Sequence, residues 1–386
     1  MKRFLLVYLS VCLMILGFVP VFETETGLNP PVASHHESLA FAGENGVAVA
    51  AEAAVLLDAQ TKQLLFSVNG QKRLGMASTT KIMTALLALE SGKFKESVVI
   101  PPEATEIEGS SIYLTAGEVF TLEELLYGLM LESGNDAATA VAIAVSGSVE
   151  AFVELMNLKA EQLGLSGTHF DNPHGLSSEN HYTTAADLGF LTAHALENPD
   201  FLKIVSTKVY RLSAEGRRCE RYFSNHNRLL GSYEGMIGVK TGYTKSTGRC
   251  LVTAAERGKM RLVAVTLNSG DDWNDHRKML DYGFGAFEVR LLAEEGDFRF
   301  EVAVTGGKSE TLWVSNPSAV SLCLPSGTET ETAVSLPPFV YAPVKEGQHL
   351  GTVRVYANGA LTEEIPLCAE TAVERKKLSF FEKLFS

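Results

Sequence analysis

The stretch Met76-Ala77-Ser78-Thr79-Thr80-Lys81-Ile82-Met83-Thr84-Ala85-Leu86-Leu87-Ala88-Leu89 decides how the chain is read. Ile82, Met83, Leu86 and Leu89 recur with the spacing of one helix face, and Ser91-Gly92 supplies a stop, so a helix is expected to begin near Ser78. Ser78 and Lys81, at i and i+3 on its first turn, share a face. The helix amino terminus favours negative charge developing beside Ser78. The same dipole, partial burial and any nearby cation disfavour charged Lys81, which leaves free amine to act as a base. By itself the tetrad reads first as a capping serine and a solvated lysine, since average composition yields on the order of one Ser-x-x-Lys in a chain this long.

Working outward, residues 53–66 read as two strands around the turn Asp58-Ala59-Gln60-Thr61-Lys62. Downstream, residues 121–131 read as a helix opened by the capping-box pattern Thr121-Leu122-Glu123-Glu124. After Ser133-Gly134-Asn135, an alanine-rich helix is expected from Asp136, another over 150–163, a loop over 168–182 and a helix near Ala185. Apolar strands return at 236–241, 250–256 and 260–267, and a helix is expected over 275–292. Strands at both ends with helices between predict an α/β (α+β) sandwich around an antiparallel sheet. Past Glu295 the pattern changes to short strands at 298–304, 311–314, 320–324, 352–356 and 361–367, the last two joined through Asn358-Gly359. That is a small all-β domain.

Both ends of the chain bear on its location. Lys2 and Arg3 precede an apolar run over 4–22, which reads as an export signal with cleavage expected after the small-residue triplet Ala40-Phe41-Ala42. An uncleaved membrane anchor is the alternative. At the other end, Arg375, Lys376, Lys377 and Lys383 accompany Leu378, Phe380, Phe381, Leu384 and Phe385, which gather on one side of a helical wheel. Such a basic amphipathic segment lies in a membrane interface, the alternative being a helix packed on the β domain or a frayed terminus. The expected organisation is an export segment 1–42, a catalytic domain 43–294, a β-rich domain 295–368 and a basic amphipathic tail 369–386.

The 386 residues carry a net charge of −13, which argues against a duplex nucleic-acid partner. Cys12 falls inside the export run and reads as apolar filler. Cys219, Cys250, Cys323 and Cys368 are even in number, but their scatter does not make a disulfide framework.

Two further short motifs matter in combination. Ser133-Gly134-Asn135 lies on a tight turn that can aim a hydroxyl and an amide into a cleft, and Lys240-Thr241-Gly242 ends an apolar strand with a cation and a hydroxyl suited to an anion. In this order, Ser-x-x-Lys, Ser-x-Asn and Lys-Thr-Gly resemble the active-site set of penicillin-binding proteins and serine β-lactamases. The run Asn172-Pro173-His174-Gly175-Leu176 with His181-Tyr182 and Asp187-Leu188, the stretch Asn225-His226-Asn227-Arg228-Leu229-Leu230, and Lys240-Thr241-Gly242-Tyr243-Thr244 are similar to the low-molecular-mass penicillin-binding proteins that are D-alanyl-D-alanine carboxypeptidases.

That resemblance implies a penicillin-binding-protein/β-lactamase-like sandwich followed by a small all-β domain. It also implies a peptidoglycan stem peptide ending in D-Ala-D-Ala as substrate, acylation by β-lactams, and an extracytoplasmic location at the cell membrane or wall. Ser78 is then the nucleophile and Lys81 its base. Ser133 passes a proton to the leaving amine, Asn135 bonds the substrate backbone, and Lys240 and Thr241 hold the terminal carboxylate, with Gly242 permitting close backbone approach. The backbone amides of Ser78 and Tyr243 form an oxyanion hole. No metal or cofactor is required, and His169, His174 and His181 belong to the family-like loop.

His226 stands where some members carry arginine, and Arg249 lies near the site strand without an assigned role. A serine β-lactamase is the nearest alternative, but the Glu-x-x-x-Asn pattern of class A enzymes is missing between Thr168 and Leu188, where Glu179 directly precedes Asn180. A non-catalytic penicillin-sensing or wall-binding protein is the alternative outside enzymes.

Overall fold

A computed structural model describes residues 47–214 and 219–377. The export segment with its cleavage triplet and Cys12, and the apolar part of the tail, lie outside the described residues.

The hairpin pairs β1 (Ala51–Asp58) with β2 (Leu64–Val68), and a 3-10 turn at Ala77–Thr80 runs into α1 (Lys81–Glu90). The short pair β3 (Ser97–Val99) and β4 (Val119–Thr121) precedes α2 (Leu122–Leu131), α3 (Asn135–Ser146) and α4 (Val149–Gln162). The expected capping box is formed: Thr121 Oγ1 accepts from Glu124 N, and the Glu124 carboxylate accepts from Thr121 N. Next come α5 (Ala185–Ala195), α6 (Pro199–Ser206) and the hairpin β5 (Val209–Leu212) and β6 (Arg221–Ser224). The meander β7 (Met236–Thr244), β8 (Gly248–Arg257) and β9 (Met260–Ser269) then leads to α7 (Asp272–Ala286).

Five of these strands build one antiparallel sheet in the order β2-β1-β9-β8-β7, and β3-β4 and β5-β6 stand as separate pairs. Both faces are covered, as the nearly continuous burial of β1 and β9 requires. Val55, Leu57, Val263 and Val265 point to the cluster that includes Ile82, Leu86 and Leu125, whereas Leu56, Leu262 and Ala264 meet Met279 and Leu280 of α7. The resulting three layers leave β7 at the sheet edge, beside the turn that carries Ser78.

The second body holds β10 (Phe287–Ala293), β11 (Arg299–Thr305), β12 (Thr311–Ser315), β13 (Val320–Pro325), β14 (Thr330–Ser335), β15 (Phe339–Tyr341), β16 (His349–Ala357) and β17 (Ala360–Ala369). β10 pairs with β13, and the others form a six-stranded sheet in the order β14-β16-β17-β12-β11-β15. Asn358 (φ 49°) and Gly359 (φ 80°) are both left-handed, as a two-residue hairpin turn of this type needs.

Two expectations change, and the cysteines can be placed. The helix expected over 275–292 spans Asp272–Ala286, because Phe287-Glu288-Val289-Arg290-Leu291 takes up ladder pairing with β13 in place of a further helical turn. The tail is not helical from its start: β17 runs to Ala369, Val373 bridges Val344, and Arg375 bridges Gly307, so residues 370–377 run along the β domain. Cys219, Cys250, Cys323 and Cys368 are free thiols.

Candidate active site

Ala77, in a left-handed conformation (φ 47°), turns the chain sharply ahead of Ser78. The turn is stapled from within, Thr79 Oγ1 donating to Met76 O (2.6 Å) and Thr80 Oγ1 to Ala77 O (2.7 Å). Thr79, Thr80 and Lys81 are buried, which leaves Ser78 as the half-buried member facing the cleft.

Lys81 is fully buried, and its Nζ lies 2.9 Å from Ser78 Oγ, 2.7 Å from Asn135 Oδ1 and 2.6 Å from His174 O. The last two are acceptors only. Asn135 is held in that sense by Nδ2 donating to Glu108 O (2.6 Å). A neutral amine in this cage spends its two N–H groups on Asn135 and His174 and turns its lone pair toward the Ser78 hydroxyl. Burial, reinforced by the charge of Lys240 and opposed by Asp136, drives the Lys81 amine well below the usual lysine range. The site thus favours the proton-accepting form.

Two glycines let the walls close on this turn. A Cβ on Gly175 (φ 96°) would lie 2.0 Å from Ala77 O, and one on Gly242 would lie 3.0 Å from Ser78 N. The loop after Asn172 and the edge strand β7 therefore press the Ser78 turn from two sides. Ser78, Ser133, Thr241, Gly242 and Tyr243 line one cleft of about 530 Å³, into which His226 and Arg249 also face. Ser133 is itself left-handed (φ 62°) on the turn between α2 and α3. Lys240 is buried behind the cleft wall, its Nζ donating to Thr241 O (3.1 Å), and burial pushes it down to about 7, with the Glu132 charge working in the opposite direction.

Every residue expected at the site is therefore brought together: Ser78, Ser133, Thr241, Gly242 and Tyr243 in the cleft, with Lys81, Asn135 and Lys240 behind it. Sequence reading missed several supports. The buried Asp136 carboxylate accepts from Ser111 Oγ (2.6 Å), Ile112 N (3.1 Å) and Leu114 N (3.0 Å), clasping the loop whose Glu108 and Ser110 carbonyls hold Asn135. His181 accepts from Asp171 N at Nδ1, so Nε2 donates to Thr80 Oγ1 (2.7 Å). Burial lowers His181 to about 4 and His174 to about 3, so both rings are neutral: His181 props the turn through Thr80, and His174 Nδ1 accepts from Leu176 N (3.2 Å) within its own loop. At the rim, His226 Nε2 pairs with Glu132 (3.3 Å), which also accepts from Ser224 N (2.6 Å). The adjacency of Asp136 to Asn135 was the available signal for the first; the others depend on long-range packing. Arg249 is engaged with Asp272 (3.4 Å) and Gly270 O. Among the described residues, no group of three or more His, Cys, Asp and Glu is placed to hold a metal ion.

The family model described as D-alanyl-D-alanine carboxypeptidase matches residues 40–271, and that of the penicillin-binding protein 5 C-terminal domain matches residues 287–375. The chain is 34% identical to D-alanyl-D-alanine carboxypeptidase DacF of Bacillus subtilis, over 98% of this chain and 96% of the relative. It is 33% identical to DacC of Escherichia coli, over 87% and 88% of the two chains. Among solved structures, penicillin-binding protein 5 from Haemophilus influenzae superposes with a TM-score of 0.78 at 28% identity, covering 90% of this chain and 100% of that one.

Proposed function

The chain belongs to the D-alanyl-D-alanine carboxypeptidase family, and from that premise we propose that Ser78 is the residue acylated when this enzyme removes the terminal D-alanine of a peptidoglycan stem peptide. As a serine-type carboxypeptidase acting on peptidoglycan, it works outside the cytoplasm, and β-lactams are its family's acylating ligands.

The observation that carries the assignment is the three-way cage of Lys81, with two obligate acceptors and the Ser78 hydroxyl as third neighbour. In the proposed sequence, Ser78 Oγ attacks the carbonyl carbon of the penultimate D-alanine while its proton passes to Lys81. Charge gathers on the carbonyl oxygen against the backbone amides of Ser78 and Tyr243, a contribution of about 3 kcal/mol per donor in comparable sites. Ser133 relays the proton to the nitrogen of the leaving D-alanine as the C–N bond breaks, which leaves an ester on Ser78. Water then attacks that ester and gives a proton to Lys81, the acyl C–O bond to Ser78 breaks as Lys81 returns that proton to Ser78 Oγ, and the acid product departs. Asn135 bonds the substrate backbone, and Lys240 and Thr241, beside Gly242, hold the terminal carboxylate, so that an internal peptide bond finds no partner there.

Export through 1–42, a catalytic body ahead of the β domain, and attachment to the membrane surface by the C-terminal segment or by 4–22 complete the proposal. The change to all-β structure at Phe287 supports a domain limit there, ahead of the 294/295 division expected from sequence. Release of D-alanine from a peptide ending in D-Ala-D-Ala, lost in Ser78→Ala at unchanged circular dichroism, is the expected outcome. Release retained by Ser78→Ala would refute the assignment, and rapid turnover of penicillin without D-alanine release would favour a β-lactamase.

A further inference from the structure

The solvent face of β11 and its neighbours does not have the composition expected of an exposed sheet. Along β11, Val302 and Val304 point into the β-domain core, so Arg299, Glu301, Ala303 and Thr305 share the outer face. Registered across from them are Trp313, opposite Glu301 on β12, and Phe339 and Tyr341, opposite Ala303 and Thr305 on β15. Trp313 is 41% exposed, Phe339 44% and Tyr341 70%, which puts three aromatic side chains on one outer face of three adjacent strands. Solitary exposed aromatics need no explanation; a row of them marks a contact surface.

The place where the chain leaves this domain indicates what the surface meets. Lys308 N donates to Glu374 O and Lys376 N to Gly306 O (both 2.8 Å), so the chain departs beside the turn that follows Thr305, the residue registered with Tyr341. Arg375, Lys376 and Lys377 lie there, exposed, and the sequence continues with Leu378, Phe380, Phe381, Lys383, Leu384 and Phe385. Basic residues next to aromatic and apolar ones are the composition that seats protein at the headgroup level of an anionic bilayer.

A glycan platform fits less well. The Arg299 guanidinium already covers the Trp313 ring at 4.3 Å, and the Phe339 and Tyr341 rings meet at 90° with centroids 5.3 Å apart, so they offer no coplanar stacking surface. The carboxylates on this side include Glu370, paired with Arg299, Glu374, paired with Lys308, and Glu301. The three consecutive basic residues at the exit offset them.

We propose that the face formed by Trp313, Phe339 and Tyr341 is a second membrane contact, on which the β domain settles into the headgroup region beside the departing tail. This rests on the reading that the protein attaches to a membrane surface. It gives the β domain the work of orienting the body, and with it the cleft, relative to the lipid.

The test uses the full chain carrying Tyr341→Trp, with Tyr222→Trp as reference, since Tyr222 is 57% exposed in the catalytic domain. Vesicles of phosphatidylglycerol and phosphatidylcholine with brominated acyl chains serve as quencher, and the unsubstituted chain gives the background. Sedimentation with vesicles together with at least severalfold stronger quenching at position 341 than at 222 is expected. A chain that sediments yet shows equal quenching at the two positions overturns the second contact and leaves the tail reading standing. A chain that does not sediment overturns both. Combined Phe339→Ser and Tyr341→Ser should lower vesicle partitioning severalfold without altering D-alanine release. If deleting 378–386 shifts the emission of the Trp at 341 in the absence of vesicles, the tail itself covers the face and the proposal fails.

Discussion

Around Ser78 the protein buries charge, whereas in the β domain it buries hydrocarbon. Lys81, Asn135, Asp136 and Lys240 are each at most 4% exposed, and among the described residues Lys240 Nζ donates a hydrogen bond only to Thr241 O. The β-domain core is Val302, Val314, Val353, Val355 and Leu367. Its buried Asn316 is neutral and fully engaged, with Glu294 O, Ser318 O and Phe298 N. Two desolvated lysines cost stability that such a hydrocarbon core does not. What the catalytic region gains is a depressed amine beside a hydroxyl and, in the proposed mechanism, a cation to meet the substrate carboxylate. The stability cost and the chemistry thus reside in the same atoms, and substitutions in the two regions should separate activity from stability.

The widest separation is expected from Lys81→Met, which keeps volume and removes the amine. Activity on a D-Ala-D-Ala peptide should fall about 10²–10⁴-fold with loss of the base, while thermal melting moves little, because relief of the desolvated amine offsets the hydrogen bonds lost by Asn135 Oδ1 and His174 O. A variant that melts far earlier yet turns over normally would break the contrast. Leu367→Ala tests the other side. It should cost about 2–5 kcal/mol in denaturant unfolding and leave kcat/KM of the folded enzyme unchanged.

Between these extremes lies Gly175→Ala, where backbone and chemistry meet. Its φ of 96° and a Cβ placed 2.0 Å from Ala77 O force the nucleophile turn to shift. A loss of about 1–3 kcal/mol in stability should accompany a loss of activity, unlike either substitution above. The smallest effect is expected from Glu132→Gln. The Glu132 charge opposes the downward push of burial on Lys240, so its removal lowers the Lys240 titration further. In the proposed mechanism carboxylate binding needs Lys240 charged, so KM should rise as pH climbs through that titration. In Glu132→Gln the rise should begin at lower pH, with a severalfold KM increase on the alkaline side and kcat little changed. The acid side belongs to Lys81, which must be neutral and whose depression extends activity downward in pH.

Much of this was legible in the sequence where local chemistry decides the outcome. Thr121-Leu122-Glu123-Glu124 capped its helix, Asn358-Gly359 made its turn, and the Ser78 and Ser133 motifs fell at the turn and inter-helix corner expected of them, whereas Lys240-Thr241-Gly242, expected at a strand end, lies inside β7, which runs on to Thr244. The helix α6 carried readable signals that the sequence reading passed over: Asn198 Oδ1 accepts from Asp200 N and Phe201 N, and Pro199 sits at its first position. Long-range partners were not legible. Phe287–Ala293 is a strand because β13 lies beside it, and the His174 and Glu108 carbonyls reach Lys81 and Asn135 across 93 and 27 residues. A carbonyl leaves no mark in a side-chain pattern.

The central claim, that the Lys81 cage activates Ser78, is tested most directly by treating the wild-type chain with penicillin and mapping the adduct by peptide mass spectrometry. One penicilloyl group on the peptide containing Ser78 is predicted, with adduct formation slowed at least 100-fold in Lys81→Met. An adduct on any other residue, or acylation at the wild-type rate without the Lys81 amine, would contradict the account.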